Sequence, residues 1–171
     1  MAWVRAMPPA PINAIRKGSI VISGGPVSEP HRFWTEPLAV EMLGQLNTDE
    51  KFKSLSAKLD AVIQLQCKDT PEGTDVCATY HIHHGRLDLM EWDEGPAPAK
   101  WRTEPLDKSK ILARTTAPYP IWVKLDTGEF GVIDAIINPN YKFEGAKLKV
   151  LRHLRMFSRI ADLSQALEKR Y

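Results

Sequence analysis

The chain has 171 residues, 43% hydrophobic and 26% charged, a composition that excludes a wholly disordered, collagen-like or coiled-coil protein and suits one domain plus an arm. Lys and Arg number 23 against 21 Asp and Glu, a formal charge of +2, too small to signal nucleic-acid binding unless the cations cluster. Cys67 and Cys77 make neither a disulfide framework nor a zinc-ligand spacing; no apolar run reaches the ~20 residues of a membrane span, Pro8, Pro9 and Pro11 interrupt any signal-peptide core, and the expected location is cytoplasmic.

Residues 1–32 read as a partly ordered N-terminal arm, in which a short β-prone Ser19–Ile22 precedes the breakers Gly24, Gly25, Pro26 and Pro30. Residues 33–171 read as the folded domain. Thr35-Glu36-Pro37 predicts a helix start, with a capping hydroxyl and a proline in the first turn. Leu38, Met42 and Leu46 follow at four-residue spacing and give that helix a wide apolar face. Thr48, Asp49 and Glu50 predict the cap of a second helix through Phe52, Leu55 and Leu59. The period then changes to two: Ile63, Leu65 and Cys67 alternate with Gln64 and Gln66, and Val76, Ala78, Tyr80 and Ile82 alternate with Cys77, Thr79, His81 and His83. This predicts an antiparallel hairpin with one wet face. His84-Gly85 turns the chain into a third strand through Leu87 and Leu89, ending near Trp92.

Asp93–Lys110, with Pro96, Pro98 and Pro105, reads as mostly loop, and Lys110–Thr116 as another strand. Beyond Tyr119 the pattern is helical: Ile121, Trp122 and Leu125 before a stop at Thr127-Gly128, then Phe130, Ile133, Ile136 and Ile137 before Asn138-Pro139-Asn140. Tyr141–Gly145 alternates as a last strand. One long amphipathic helix follows. At about 100° per residue, Val150, Leu151, Leu154 and Phe157 share an arc about 120° wide, and Lys149, Arg152, Arg155 and Arg159 lie opposite.

This order of helix, three-strand meander, strand, two short apolar helices, strand and amphipathic helix resembles the sterol carrier protein type-two family of lipid-binding domains. Lys110–Thr116 is similar to its fourth strand, Tyr119–Leu125 to its short apolar helix, Phe130–Ile137 to the next, and Tyr141–Gly145 to the last strand with its terminal glycine. The likeness spans roughly residues 36–160. Two departures are a longer proline-rich loop from Trp92 to Pro105, and Asn138-Pro139-Asn140 in place of a glycine-basic turn. The resemblance implies an α+β fold, a mostly antiparallel five-stranded sheet covered by helices on one face. It also implies an apolar tunnel between the layers that holds a sterol, fatty acid or fatty acyl thioester without transforming it and without a cofactor. The candidate ligand-binding residues are then Leu65, Tyr80, Ile82, Leu87 and Leu89 on the sheet, Ile121, Trp122, Leu125, Phe130, Ile133, Ile136 and Ile137 on the short helices, and Leu151, Leu154 and Phe157 on the last helix. The seven on the short helices also stand out physically: so much apolar surface needs tight packing or a guest to cover it.

Between Lys142 and Arg159 six cations face Glu144 alone. Lys149, Arg152, Arg155 and Arg159 are the candidate contacts to anionic lipid head groups in a transient membrane encounter; the plainer alternative is a solvated helix face. Nucleic acid is not expected, because no aromatic is interleaved for base stacking. A rival reading comes from His81-Ile82-His83, two imidazoles on one face of a strand. With Asp88 and Gly95 the spacing resembles the cupin pattern, which would make His81, His83 and Asp88 metal ligands of a small enzyme. Against it, the family's acid is normally Glu, no second histidine motif follows, and the downstream helices do not suit a double-stranded barrel. A third reading is an accessory subunit whose apolar surface a partner chain covers; a monomer and a homodimer are both compatible with the sequence.

Overall fold

The computed structural model describes residues 29–171. The β-prone Ser19–Ile22 and the breakers Gly24, Gly25 and Pro26 lie outside the described residues. A short strand, β1 (His31–Arg32), leads into α1 (Glu36–Leu46). Pro37 occupies the first turn, where its missing N–H leaves no bond unmade. The Thr35 hydroxyl does not cap the helix; it donates to the Arg32 carbonyl at 2.7 Å. At the other end Asn47 grips the Leu87 backbone in both directions, each bond 2.8 Å. In α2 (Glu50–Ser56) the capping group is Asp49, whose Oδ1 accepts from the Phe52 amide at 2.6 Å. Thr48 turns its hydroxyl back to the Gly44 and Gln45 carbonyls instead.

The main sheet holds β2 (Asp60–Lys68), β3 (Thr74–His83), β4 (Arg86–Pro96), β5 (Ala113–Pro118) and β6 (Lys142–Gly145), in the order β4-β3-β2-β5-β6. The β2–β5 pair is parallel and the other pairs are antiparallel. His84 and Gly85 take φ values of 45° and 94°, the left-handed pair that a two-residue hairpin turn needs. The third strand runs past the predicted end near Trp92 to Pro96, because Asp93–Pro96 pair with Cys77, Val76, Asp75 and Thr74. Gly145 ends β6 with φ 109°; a Cβ there would overlap the Leu112 carbonyl oxygen and lie 2.9 Å from the Ala113 Cα, so only glycine lets the last strand close on β5.

After β5 come α3 (Tyr119–Asp126) and α4 (Val132–Ile137). The single long C-terminal helix predicted from periodicity is two, α5 (Lys147–Arg152) and α6 (Leu154–Ala166). They meet at His153, whose φ of −105° and ψ of 17° lie outside the helical region. The break dissolves the shared apolar arc: Val150 is buried while Leu151 is exposed. A last strand, β7 (Lys169–Arg170), returns to pair in parallel with β1.

The fold class is the expected one, α+β with a five-stranded, mostly antiparallel sheet and helices over one face. On the helix side Phe52, Ala78, Ile82 and Met156 anchor the core cluster. The opposite face is not wet across its middle. Gln66, Cys77, Thr79 and Arg114 are all buried there; the loop after β4, carrying the buried Trp101, lies over them, and Arg114 reaches its Glu104 carbonyl at 2.9 Å. One-residue alternation explains why the two thiols never meet: Gln66 faces Cys77 and Cys67 faces Val76, so the cysteines lie on opposite faces.

Candidate functional site

A cavity of about 180 Å³ lies between the helices and the sheet. The sheet contributes Ile63 and Leu65 from β2, Tyr80 from β3, Trp92 from β4, Ala113 and Thr115 from β5, and Phe143 from β6; Tyr141 stands just before β6. Strand alternation puts these side chains on the helix side. The other wall is Leu38, Ala39 and Met42 of α1, Trp122 and Leu125 of α3, Val132 and Ile136 of α4, Val150 of α5, and Phe157, Ile160 and Ala161 of α6. Each short helix thus turns a narrow stripe inward. Phe33 and Trp34 close the space beside α1; Trp34 meets Trp122 edge-on at 4.9 Å between centroids, and Trp122 meets Tyr141 at 5.4 Å. The Trp122 indole donates to the Gln66 carbonyl at 3.0 Å, which fixes its ring against the sheet.

The lining is almost wholly apolar, with one charged corner. Asp126, at the end of α3, lines the cavity and is 4% exposed, as its partner Lys169 is 2% exposed. Its Oδ1 accepts from the Ser164 hydroxyl, and its Oδ2 accepts from Lys169 Nζ at 2.7 Å and from the Tyr171 hydroxyl at 2.6 Å. Lys169 also donates to the Ser164 carbonyl. Burial and then the Asp126 carboxylate push the Tyr171 phenol up. Tyr80 and Tyr141 are held neutral by burial, which pushes Tyr141 up to about 12.

Other polar groups of the lining are left unmatched. Trp34 Nε1 and Thr115 Oγ1 are buried without a hydrogen-bond partner among the described residues. The Thr115 hydroxyl beside Tyr141 works against the push of burial on that phenol.

Of the predicted ligand residues, the structure brings Leu65, Tyr80, Trp122, Leu125, Ile136 and Phe157 to the cavity. Ile82 and Leu87 are buried in the core cluster, with Leu89 packed against it. Ile121 packs on a second cluster around Tyr119 and Trp122, and Phe130 and Leu154 are half-buried away from the lining. Ile133, Ile137 and Leu151 are exposed, at 56%, 72% and 39%, because one short helix cannot turn all its apolar side chains inward. The residues that sequence reasoning missed are chiefly Phe33, Trp34, Leu38, Ala39 and Met42. Of these, the apolar spacing of Leu38 and Met42 was the one available signal.

Lys149, Arg152 and Arg155 are exposed, as is Lys147, and none makes an ion pair with another described residue. Arg159 is different. It forks onto Asp49, with Nε to Oδ1 at 3.1 Å and Nη2 to Oδ2 at 2.6 Å, and this pair clamps α6 to α2. With the Phe52 amide it lowers Asp49 to about 2. Arg159 is therefore a structural cation and not a free head-group contact.

The rival metal site is also rearranged. His81 Nε2 lies 2.7 Å from Asp60 Oδ1 and His83 Nδ1 lies 3.4 Å from Oδ2. Asp88 is opposite His81 in register but takes the Arg86 guanidinium at 2.8 Å. Among the described residues the group with metal-ligand spacing is Asp60, His83 and His84, all exposed, and none of them lines the cavity. The buried thiols offer no nucleophile: burial, then the nearby carboxylates, push Cys67 up, and burial does the same to Cys77.

Fold and site together define a class of protein: an α+β domain with an apolar cavity between a helical layer and the sheet. That fold is the sterol carrier protein type-two fold. No family model matches the sequence, and no curated protein matches it either. Solved structures do. A solution structure of a conserved hypothetical protein from Thermus thermophilus, described as possibly a sterol carrier protein, superposes with a TM-score of 0.63 and 12% identity, covering 84% of this chain and 94% of that one. The crystal structure of sterol carrier protein 2 gives a TM-score of 0.60 and 12% identity, covering 78% of this chain and 98% of its own. At that identity the likeness is one of fold.

Proposed function

We propose that this chain binds a hydrophobic ligand in the cavity and carries it between membranes, without changing it chemically. The observation that carries this reading is the cavity itself. It is about 180 Å³, larger than the roughly 150 Å³ apolar cavity that stays dry and takes up benzene in an engineered protein, and it lies where the fold separates helices from sheet. Its volume is below the ~300–1,000 Å³ of pockets that swallow a drug-sized molecule whole. A sterol, fatty acid or acyl thioester would therefore place a ring or chain segment inside and leave the rest at the mouth, or part the helices to enter. The likeness in fold to sterol carrier protein 2 supports the same assignment.

Lys147, Lys149, Arg152 and Arg155 supply the membrane side of this proposal. Without an ion-pair partner among the described residues, they lie beside the exposed Leu148 and Leu151 on α5 and the start of α6. Cations flanking apolar side chains suit an anionic bilayer surface, at about 1 kcal/mol per basic residue. Replacing all four by Gln is expected to abolish co-sedimentation with anionic vesicles at low salt and to leave cavity binding intact. Equal sedimentation with neutral and anionic vesicles would remove the electrostatic role. For the cavity, native mass spectrometry of protein purified without detergent is expected to show an added mass of a few hundred daltons, and a fluorescent fatty acid should bind saturably to delipidated protein. A doubled mass with no bound lipid would favour the accessory-subunit reading.

A further inference from the structure

At the closed end of the β3–β4 hairpin, outside the cavity lining, three histidines gather at one carboxylate. Antiparallel register sets Asp60 of β2 directly opposite His83 of β3, with His81 two residues back on the same face. His84 follows in the turn, its backbone amide donating to the Leu59 carbonyl at 2.9 Å. His83 Nδ1 lies 3.4 Å and His84 Nε2 3.9 Å from Asp60 Oδ2, and the ligand atoms that these three residues offer all lie within 4.8 Å of one another. Donors bound to a tetrahedral Zn²⁺ at about 2.0–2.1 Å are about 3.3–3.4 Å apart. The Asp60–His83 pair already has that spacing, and the exposed His84 ring needs only a small turn to reach it.

The neighbours of this group hold it as an outer shell holds metal ligands. The Ala57 carbonyl can only accept, so its 3.2 Å contact with His84 Nδ1 puts the proton on that nitrogen and leaves the Nε2 lone pair toward Asp60. Two electron-rich atoms then face each other across 3.9 Å, an arrangement that a cation between them satisfies. On the other side His81 Nε2 donates to Asp60 Oδ1 at 2.7 Å, which orients the carboxylate and leaves Oδ2 for a ligand bond. Imidazole nitrogens with one carboxylate suit zinc and its transition-metal neighbours, whereas Mg²⁺ and Ca²⁺ take oxygen. We propose that Asp60, His83 and His84 form a surface site for a divalent transition-metal ion, zinc above all, with His81 as a positioning residue and water completing the coordination. This set is not the His81, His83 and Asp88 of the sequence pattern: Asp88 is taken by Arg86, and His81 serves the carboxylate instead of the ion. A bound ion ties the β3–β4 turn to the start of β2, and the site is independent of whatever fills the cavity.

The test is calorimetric titration of untagged, full-length, metal-free protein with zinc chloride. One Zn²⁺ per chain should bind, and neither Mg²⁺ nor Ca²⁺ should compete. Asp60→Asn, His83→Ala and His84→Asn should each weaken zinc binding by about tenfold or more; asparagine is chosen at 84 because it tolerates the left-handed φ of 45°. His81→Phe should cost about tenfold through the loosened carboxylate, and Asp88→Asn should change nothing. Asp60, His83 and His84 are exposed, so their variants should keep the fold, which melting curves recorded without metal verify. Nitrogen-15 NMR of the imidazole rings gives a second reading: zinc should shift His84 Nε2 while Nδ1 keeps its proton. Absence of saturable zinc binding, or binding unchanged in both His83→Ala and His84→Asn, overturns the site. A loss in Asp88→Asn as large as that in His84→Asn overturns this ligand set. A His84 ring unmoved by zinc overturns the site even where a variant does not fold.

Discussion

The two faces of the main sheet bury similar strands under very different partners. Beneath the loop after β4, most polar groups are matched: Gln66 accepts from Thr116 at 2.7 Å and donates to Cys77, Arg114 takes Glu144 at 3.1 Å, and Asp75 receives the Ala99 and Asp69 amides and the fork of Arg102, whose Nε is 2.6 Å away. Against the upward push of burial, those donors hold Asp75 below the usual carboxylate range. Beneath the helices the contacts are mostly apolar, with Asp126 and its partners as the one charged corner, and a cavity is left unfilled. Directional bonds close most of one face, where Trp101 Nε1 alone among its buried side-chain polar atoms has no partner among the described residues; the other relies more on non-directional packing and so tolerates empty space. Directional polar contacts are concentrated under the loop, and spare volume lies under the helices.

The strongest way to break this comparison is Arg102→Met. Asp75 is fully buried, and leaving a buried carboxylate without its cation should cost about 3 kcal/mol, read as a lower urea midpoint. Ligand affinity should stay within about twofold; a parallel loss of affinity would mean that the faces are not independent. Ala161→Phe makes the converse change. Ala161 lines the cavity, so the added ring should fill it, lower affinity for a neutral guest by about tenfold or more, and leave the melting temperature where it was, because a void absorbs volume that a packed core would resist. A sharp drop in melting temperature would show that the space is already occupied by protein atoms.

The smallest effect concerns the clamp that holds α6 over α2. Asp49, lowered to about 2 from 3.8 by Arg159 and the Phe52 amide, stabilises the fold wherever it is ionised. That contribution is complete above the unfolded value and fades as pH falls through about 2. Asp49→Asn keeps a capping oxygen but loses the ion pair. The variant should melt below the parent at pH 7, and the gap should close on acidification toward pH 2. A gap independent of pH would assign the effect to the cap instead.

Local signals made much of this readable. The change of period at Ile63, the left-handed pair His84-Gly85 and the apolar short helices each depend on near neighbours, and each reappears in the structure. The failures are long-range. The alternating Cys77 and Thr79 read as wet because nothing local announces that Trp101 and Glu104 will cover that face. Arg159 read as a free cation because its carboxylate is 110 residues away. The long C-terminal helix kept its periodicity on paper across His153, where the chain breaks to seat Val150 inward and Met156 in the core. Phe33 and Trp34 carry no local signal in the sequence, and they form cavity wall through contacts with Tyr119, Trp92 and Trp122 that no spacing encodes.

The parallel seam between β2 and β5 has a consequence for biogenesis. Ile63 pairs with Ala113 and Leu65 with Thr115, and antiparallel β6 can attach only to β5. During synthesis the ribosome releases the β2–β3–β4 meander well before either strand, so the nascent intermediate displays a half-built floor and a row of unsatisfied amides along β2. Pairing across so large a sequence separation is slow, and the cavity, walled by β5, β6 and α6, takes shape only after α6 has been made.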